Sequence, residues 1–133
     1  MSSPALVVCP GRGSYLKEHL GTLQYSSNAL DVADEYRKQN GLPSVRELDS
    51  KERFSGRFHL AGEHASILTA GASLADYEQI NGKTITPVAV CGNSMGHYTA
   101  LNICGALDIT SAIHLIDTLG QFQESNVIGG QIV

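Results

Sequence analysis

The chain has 133 residues, 42% of them hydrophobic and 17% charged, with a formal net charge of −4; this is a globular composition and a length for one domain. The acidic balance gives no support to a nucleic-acid or anionic-membrane partner. No apolar run approaches the ~18 residues that span a bilayer, and the N-terminus lacks the basic region and long apolar stretch of a secretory signal, so a cytoplasmic protein is expected.

In chain order, Ala5–Cys9 has the apolar run of a short buried strand. Pro10-Gly11-Arg12-Gly13-Ser14 follows, with Tyr15, Leu16 and Leu20 suited to a short helix. A plain connecting turn and a ligand-binding glycine loop both fit the segment, but without a G-K-[ST] ending it is not a P-loop. Asn28 can cap a helix with Ala29, Val32, Ala33 and Tyr36 on one face, closed at Asn40-Gly41. Leu42 to Gly62 reads as loop or short helix, and Glu63 to Ile80 as a helix ending at Asn81-Gly82. A second strand is expected around Val88–Cys91. A last helix, capped by Asp108 or Thr110, places Ile109, Ala112, Ile113, Ile116 and Leu119 at helical spacing. Cys9, Cys91 and Cys104 are odd in number and form no C-x-x-C pair, which predicts buried, reduced thiols.

The stretch from Val88 to Leu101 carries the chemistry. An apolar run stops at Gly92-Asn93-Ser94-Met95-Gly96, and an Ala/Leu-rich helical pattern begins. A sharp strand-to-helix turn needs glycine two residues on either side of the serine, because side chains there would strike the neighbouring strand and helix. Such a turn lifts the Ser94 hydroxyl above the sheet at a helix N-terminus, where backbone N–H groups favour a developing oxyanion. A structural turn is the alternative for the motif alone. The glycine loop at Pro10–Ser14, at the end of a neighbouring parallel strand, can bring a further N–H to the same oxyanion.

Together the two motifs resemble the family of malonyl-CoA:acyl carrier protein transacylases and polyketide synthase acyltransferase domains, which open with a strand and P-G-Q-G-S and carry G-H-S-x-G-E before an alanine-leucine helix. Pro10–Ser14 and Gly92–His97 stand at those places, Ile67-Leu68-Thr69-Ala70 is similar to the family's L-L-T-A helix, and Gly105-Ala106-Leu107-Asp108 to its A-G-x-x-D turn. The order and separations fit from about Ala5 to Val133. The resemblance implies an α/β fold, the N-terminal part of a hydrolase-like three-layer core with a parallel sheet, over residues 1–128. Residues 129–133 then begin a truncated ferredoxin-like subdomain. Only two strands are convincing, so the chain is expected to be a portion of a longer protein, with the family's catalytic histidine beyond Val133.

By resemblance, Ser94 is the nucleophile, and the backbone N–H groups of Met95 and Arg12 form the oxyanion hole. Arg12 replaces a glutamine, Asn93 replaces the histidine before the nucleophile, and His97 replaces a glutamate, too close in sequence to curl back readily onto Ser94. His64 aligns with a glutamine near the family's active site and is expected to line the pocket. His19, His59 and His114 read as surface or structural. Leu119 stands where malonyl-selective members carry an arginine for the carboxylate, and no Lys or Arg occurs from Asn93 to Val133. Burying a carboxylate there unpaired would cost several kcal/mol, so a neutral acyl group is expected.

The implied function is a serine acyltransferase in fatty acid or polyketide biosynthesis, working by a ping-pong mechanism. Acyl-CoA and acyl carrier protein thioesters would be its substrates and partners, with neither metal nor redox cofactor. The rivals are an acyl-carrier-protein hydrolase, with water as acceptor, and a non-catalytic carrier-protein-binding module.

Overall fold

A computed structural model describes residues 1–80 and 82–126 of the chain. Two strands, β1 (Ser3–Cys9) and β2 (Ile85–Gly92), pair in parallel from Ser3↔Ile85 to Cys9↔Gly92. The register slips between Ala5 and Leu6, where Ala5 faces Pro87 and Leu6 faces Ala89, so Val88 is the extra residue of a bulge. Pro87 donates no ladder hydrogen bond, which suits its place beside this irregularity.

Six helices complete the described chain: α1 (Asn28–Gln39), α2 (Val45–Asp49), α3 (Gly56–His59), α4 (Gly62–Glu78), α5 (Gly96–Ile103) and α6 (Ile109–Asn126). The short helix after the glycine loop is a single 3-10 turn, Lys17–His19. Ser27, not Asn28, caps α1: its side chain accepts from Leu30 N, and Asn28 is the first helical residue. Asp108 caps α6, accepting from Ser111 N at 2.9 Å. Asn81 and residues 127–133, including the expected subdomain start, lie outside the described residues.

The core lies among the helices. Leu30 and Ala33 of α1, Val45 and Leu48 of α2, Ile67 and Leu68 of α4 and Ile113 of α6 are fully buried in one cluster. α4 is the central element, buried on most of its circumference from Gly62 to Ala75. Its buried positions are mostly small or apolar, with the polar His64, Ser66 and Thr69 buried among them. It approaches α6 at two glycines: a Cβ on Gly120 would lie 2.7 Å from Gly62 O, and one on Gly62 3.0 Å from Gly120 O.

Two polar ties hold the layers. Arg37 of α1 is fully buried, donates to Pro43 O and Glu63 O, and pairs with buried Asp117 of α6, which also accepts from Gln121. Asp49, at the end of α2, accepts from Tyr15 OH, Gly21 N, Leu23 N and Gln24 Nε2. It thereby fixes the chain that follows the glycine loop. Burial, and then the hydrogen bond to Asp49, hold the Tyr15 phenol well above its ordinary range.

Candidate active site

Ser94 stands at the junction of β2 and α5 with φ 52°, the one described non-glycine residue in the left-handed region. A serine pays a conformational penalty there, and such strain is typical of functional turns. The flanking glycines are dictated by space. A Cβ on Gly92 would lie 2.2 Å from the carbonyl of Gly96, and one on Gly96 2.2 Å from Cys9 O. Any side chain at either place collides with backbone, so the turn can be this tight only with glycine. Asn93 N donates to Cys9 O at 3.0 Å, tying the elbow to the end of β1. The geometry is that of a nucleophile elbow.

The Pro10–Ser14 loop lies directly against it. A Cβ on Gly11 would come 3.1 Å from Asn93 O and from its side-chain nitrogen, and 3.4 Å from Ser94 Cβ. Ser14 Oγ folds back to Gly11 O at 2.8 Å, and Gly13 takes φ 88°, so the loop is a closed turn. The two motifs, about eighty residues apart in sequence, meet because β1 and β2 are paired neighbours.

A cavity of about 460 Å³ opens over Ser94. The elbow and α5 contribute Met95, His97 and Tyr98; the glycine loop contributes Arg12; α4 contributes Ser66; and α6 contributes Leu119 and Gln123. Arg12 Nη1 donates to Gln123 Oε1 at 2.9 Å, joining the loop to α6 across the cavity rim. Glu124 Oε2 accepts from Gly62 N at 2.5 Å, beside that contact.

Of the residues singled out in the sequence, Ser94, Met95, Arg12, His97 and Leu119 thus come together. His64 does not line this cavity. It is 6% exposed, stacks obliquely on Phe58, engages Phe58 O through Nδ1 and faces Glu63, because its position on α4 turns it away from the elbow. Asn93 is also outside the lining and backs onto Gly11. His97, expected to lie too close in sequence to curl back readily onto Ser94, lines the cavity with its Nδ1 2.9 Å from the backbone carbonyl oxygen of Ser94. Ser66, Tyr98 and Gln123 were not anticipated. Helical spacing held the signal for two of them, since Tyr98 is four residues from Ser94 and Gln123 four from Leu119.

The cysteines depart from expectation. Cys9 is buried, but Cys91 and Cys104 are exposed. The Cys9 thiol is held above its ordinary range by burial and by the neighbouring Cys91. Cys91 lies on a strand whose apolar run suggests burial on both faces, while helices cover only one. Among the described residues, no group of three or more His, Cys, Asp or Glu is placed to hold a metal. No described helix is long and apolar enough to cross a membrane.

The fold and the elbow define a mixed α/β core built on a parallel strand pair. In structure, the chain matches an acyl carrier protein S-malonyltransferase from Vibrio cholerae O1 biovar eltor with a TM-score of 0.68 at 24% identity, over 97% of this chain and 42% of that one. In sequence, it is 33% identical over 133 residues to the non-reducing polyketide synthase PKS16 of Cladonia grayi, covering 95% of this chain. It is 30% identical over 131 residues to the non-reducing polyketide synthase crz7 of Cladonia metacorallifera, covering 93%. The chain spans 6% of the length of these synthases. No family model matches it. The resemblance read from the motifs is therefore borne out: the relatives are polyketide synthases, and the fold is that of the N-terminal portion of an acyl carrier protein malonyltransferase.

Proposed function

We propose that this chain carries the nucleophile half of a serine acyltransferase acting in polyketide or fatty acid synthesis. The observation that carries the reading is Ser94, held at φ 52° between two glycines that admit no Cβ and opening into the cavity. Ser94 Oγ attacks the carbonyl of a CoA or carrier-protein thioester. The N–H groups of Met95 and Arg12 receive the oxyanion, and the thiol leaves. A phosphopantetheine thiol on an acyl carrier protein then takes the acyl group from the serine ester.

The acyl group we propose is neutral, acetyl or longer. Leu119 lines the cavity and offers apolar contact but no partner for a carboxylate. Arg12 is the described cation of the cavity, and its Nη1 is engaged by Gln123.

Intact-mass measurement of the full protein after exposure to acyl-CoA and acyl-carrier-protein thioesters tests this. One acyl mass should appear on Ser94 and be absent from Ser94→Ala; equal labelling of the alanine variant would sink the assignment. An acyl-serine that loses its acyl group to water and not to a carrier thiol would identify a hydrolase. Acetyl-CoA should acylate faster than malonyl-CoA. Leu119→Arg should shift that preference toward malonyl by roughly tenfold or more, since a charge-assisted contact is worth about 1.5–3 kcal/mol. A wild type that prefers malonyl would transfer the carboxylate contact to Arg12 and end the neutral-acyl reading.

A further inference from the structure

A hydrogen-bond donor accelerates acyl transfer only if it is already in place when the oxyanion develops. In the glycine loop the proposed donor, Arg12 N–H, stands between Gly11 and Gly13, and Gly13 takes φ 88°. Glycine on both sides gives this stretch more conformational freedom than other residue types would. The start of the loop is fixed by β1, whose Cys9 O accepts from Asn93 N of the elbow at 3.0 Å. Behind the loop α4 leaves room: a cavity of about 120 Å³ lies between Pro10, Ser14 and Tyr15 on one side and Thr69, Ser73 and Asp76 of α4 on the other. The loop can yield toward α4 unless its far end is held.

Tyr15 provides that hold. Its ring is buried in the cluster that contains Leu23, Leu48 and Leu68, and its hydroxyl donates to Asp49 Oδ1. His19 O lies 3.1 Å from the same hydroxyl but already accepts from Thr22 Oγ1 at 2.6 Å, and a carboxylate is the stronger acceptor for a single proton. Asp49 is fixed in turn. It is fully buried; Oδ1 also accepts from Gly21 N at 3.0 Å, and Oδ2 accepts from Leu23 N at 3.0 Å and Gln24 Nε2 at 2.9 Å. Two neutral donors on each oxygen set the plane of the carboxylate. α2, which carries it, is secured by the Ser44–Glu47 capping box and by Val45 and Leu48 in the core.

We infer that Asp49, acting through the Tyr15 hydroxyl, is a positioning residue for the loop whose Arg12 N–H receives the oxyanion. The inference rests on the reading of Ser94 as nucleophile and of this loop as part of its oxyanion hole. Neither Tyr15 nor Asp49 lines the cavity over Ser94. Their effect passes along the chain. Ser14 is tied back to Gly11 O through both its N, at 3.3 Å, and its Oγ, at 2.8 Å, so residues 11–14 shift together when Tyr15 shifts. A donor displaced by a fraction of an ångström loses distance and angle to the oxyanion, and the loss falls on the transition state.

The test uses the full protein and single-turnover time courses by intact mass, with acetyl-CoA or malonyl-CoA, whichever loads Ser94. Acylation of the wild type that is lost in Ser94→Ala verifies the nucleophile; its absence with both thioesters would end the acyltransferase reading and this inference with it. Tyr15→Phe keeps the ring and removes only the hydroxyl. It should lower the acylation rate constant at saturating thioester by at least about fivefold, with the half-saturating concentration and the final fraction of acylated protein within about twofold of wild type. A hydrogen bond that served stability alone would act otherwise, lowering the fraction acylated and leaving the rate constant of the folded molecules unchanged. Gln24→Ala removes another donor from the same carboxylate without touching Tyr15, and it should react at the wild-type rate. A smaller fall in Tyr15→Phe, a loss confined to the fraction acylated, or an equal fall in Gln24→Ala would overturn the inference and leave Ser94 standing as nucleophile.

Discussion

The helical side and the strand side of this molecule are built to different standards of closure. Leu30, Leu48, Ile67, Leu68 and Ile113 are all at 0% exposure between helices, whereas Leu6, Val8 and Val88 of the strands are 58%, 63% and 66% exposed. A parallel sheet is normally covered on both faces. Here α5 packs on both strands, and Leu6, Val8 and Val88 are left in water. Helix–helix burial supplies the stability, and the strands serve to bring two glycine turns together. The Ser94 turn sits at the end of that less closed side.

Substitutions sharpen that contrast. The largest effect is expected at the ion pair inside the helical side. Asp117→Asn removes the charge facing fully buried Arg37, whose Nη2 has no hydrogen-bond partner among the described residues. Breaking such a pair from one side costs about 3–5 kcal/mol, measurable by urea denaturation. A change below about 1 kcal/mol would mean that the pair is solvated and ranks with the surface contact of Arg46 and Asp31.

Next is the joint between the two sides. Gly96→Ala places a methyl 2.2 Å from Cys9 O, and the backbone must shift. Overpacking of this kind costs about 1–3 kcal/mol or more. Acylation at Ser94 should fall far more than stability does. Equal losses in both would show that the elbow is no more than a fold element. The smallest effect belongs to the strands: Val8→Thr or Val88→Thr should change stability by no more than about 0.5 kcal/mol, as exposed positions do. A loss of about 2 kcal/mol in the full protein would show that face to be covered there, and the asymmetry would disappear.

How legible these features are in sequence follows from the range of the interactions. Both strands, the elbow, the Asp108 cap and the α6 stripe rest on neighbours a few residues away, and all could be read directly. The α1 cap was displaced by one residue because Ser27 and Asn28 are both good capping types and only the backbone decides between them. Arg37 and Asp117 are separated by 80 positions and leave no local pattern. Cys91 was misjudged because an apolar strand reads the same whether one or both of its faces are covered.

α4 begins without a side-chain cap of its own: Ala61 precedes it and cannot provide one. The carboxylate that accepts from its first N–H, that of Gly62, comes from Glu124, 62 positions later on α6, and next to it Gln123 holds Arg12. The last turns of α6 therefore secure two things at once, the start of the central helix and the rim residue over Ser94. Fraying there would release both together. Hydrogen exchange at Gly62 and the ordering of the Arg12 loop should accordingly report a single opening event, coupling access to the nucleophile to the integrity of a helix end well away from it in sequence.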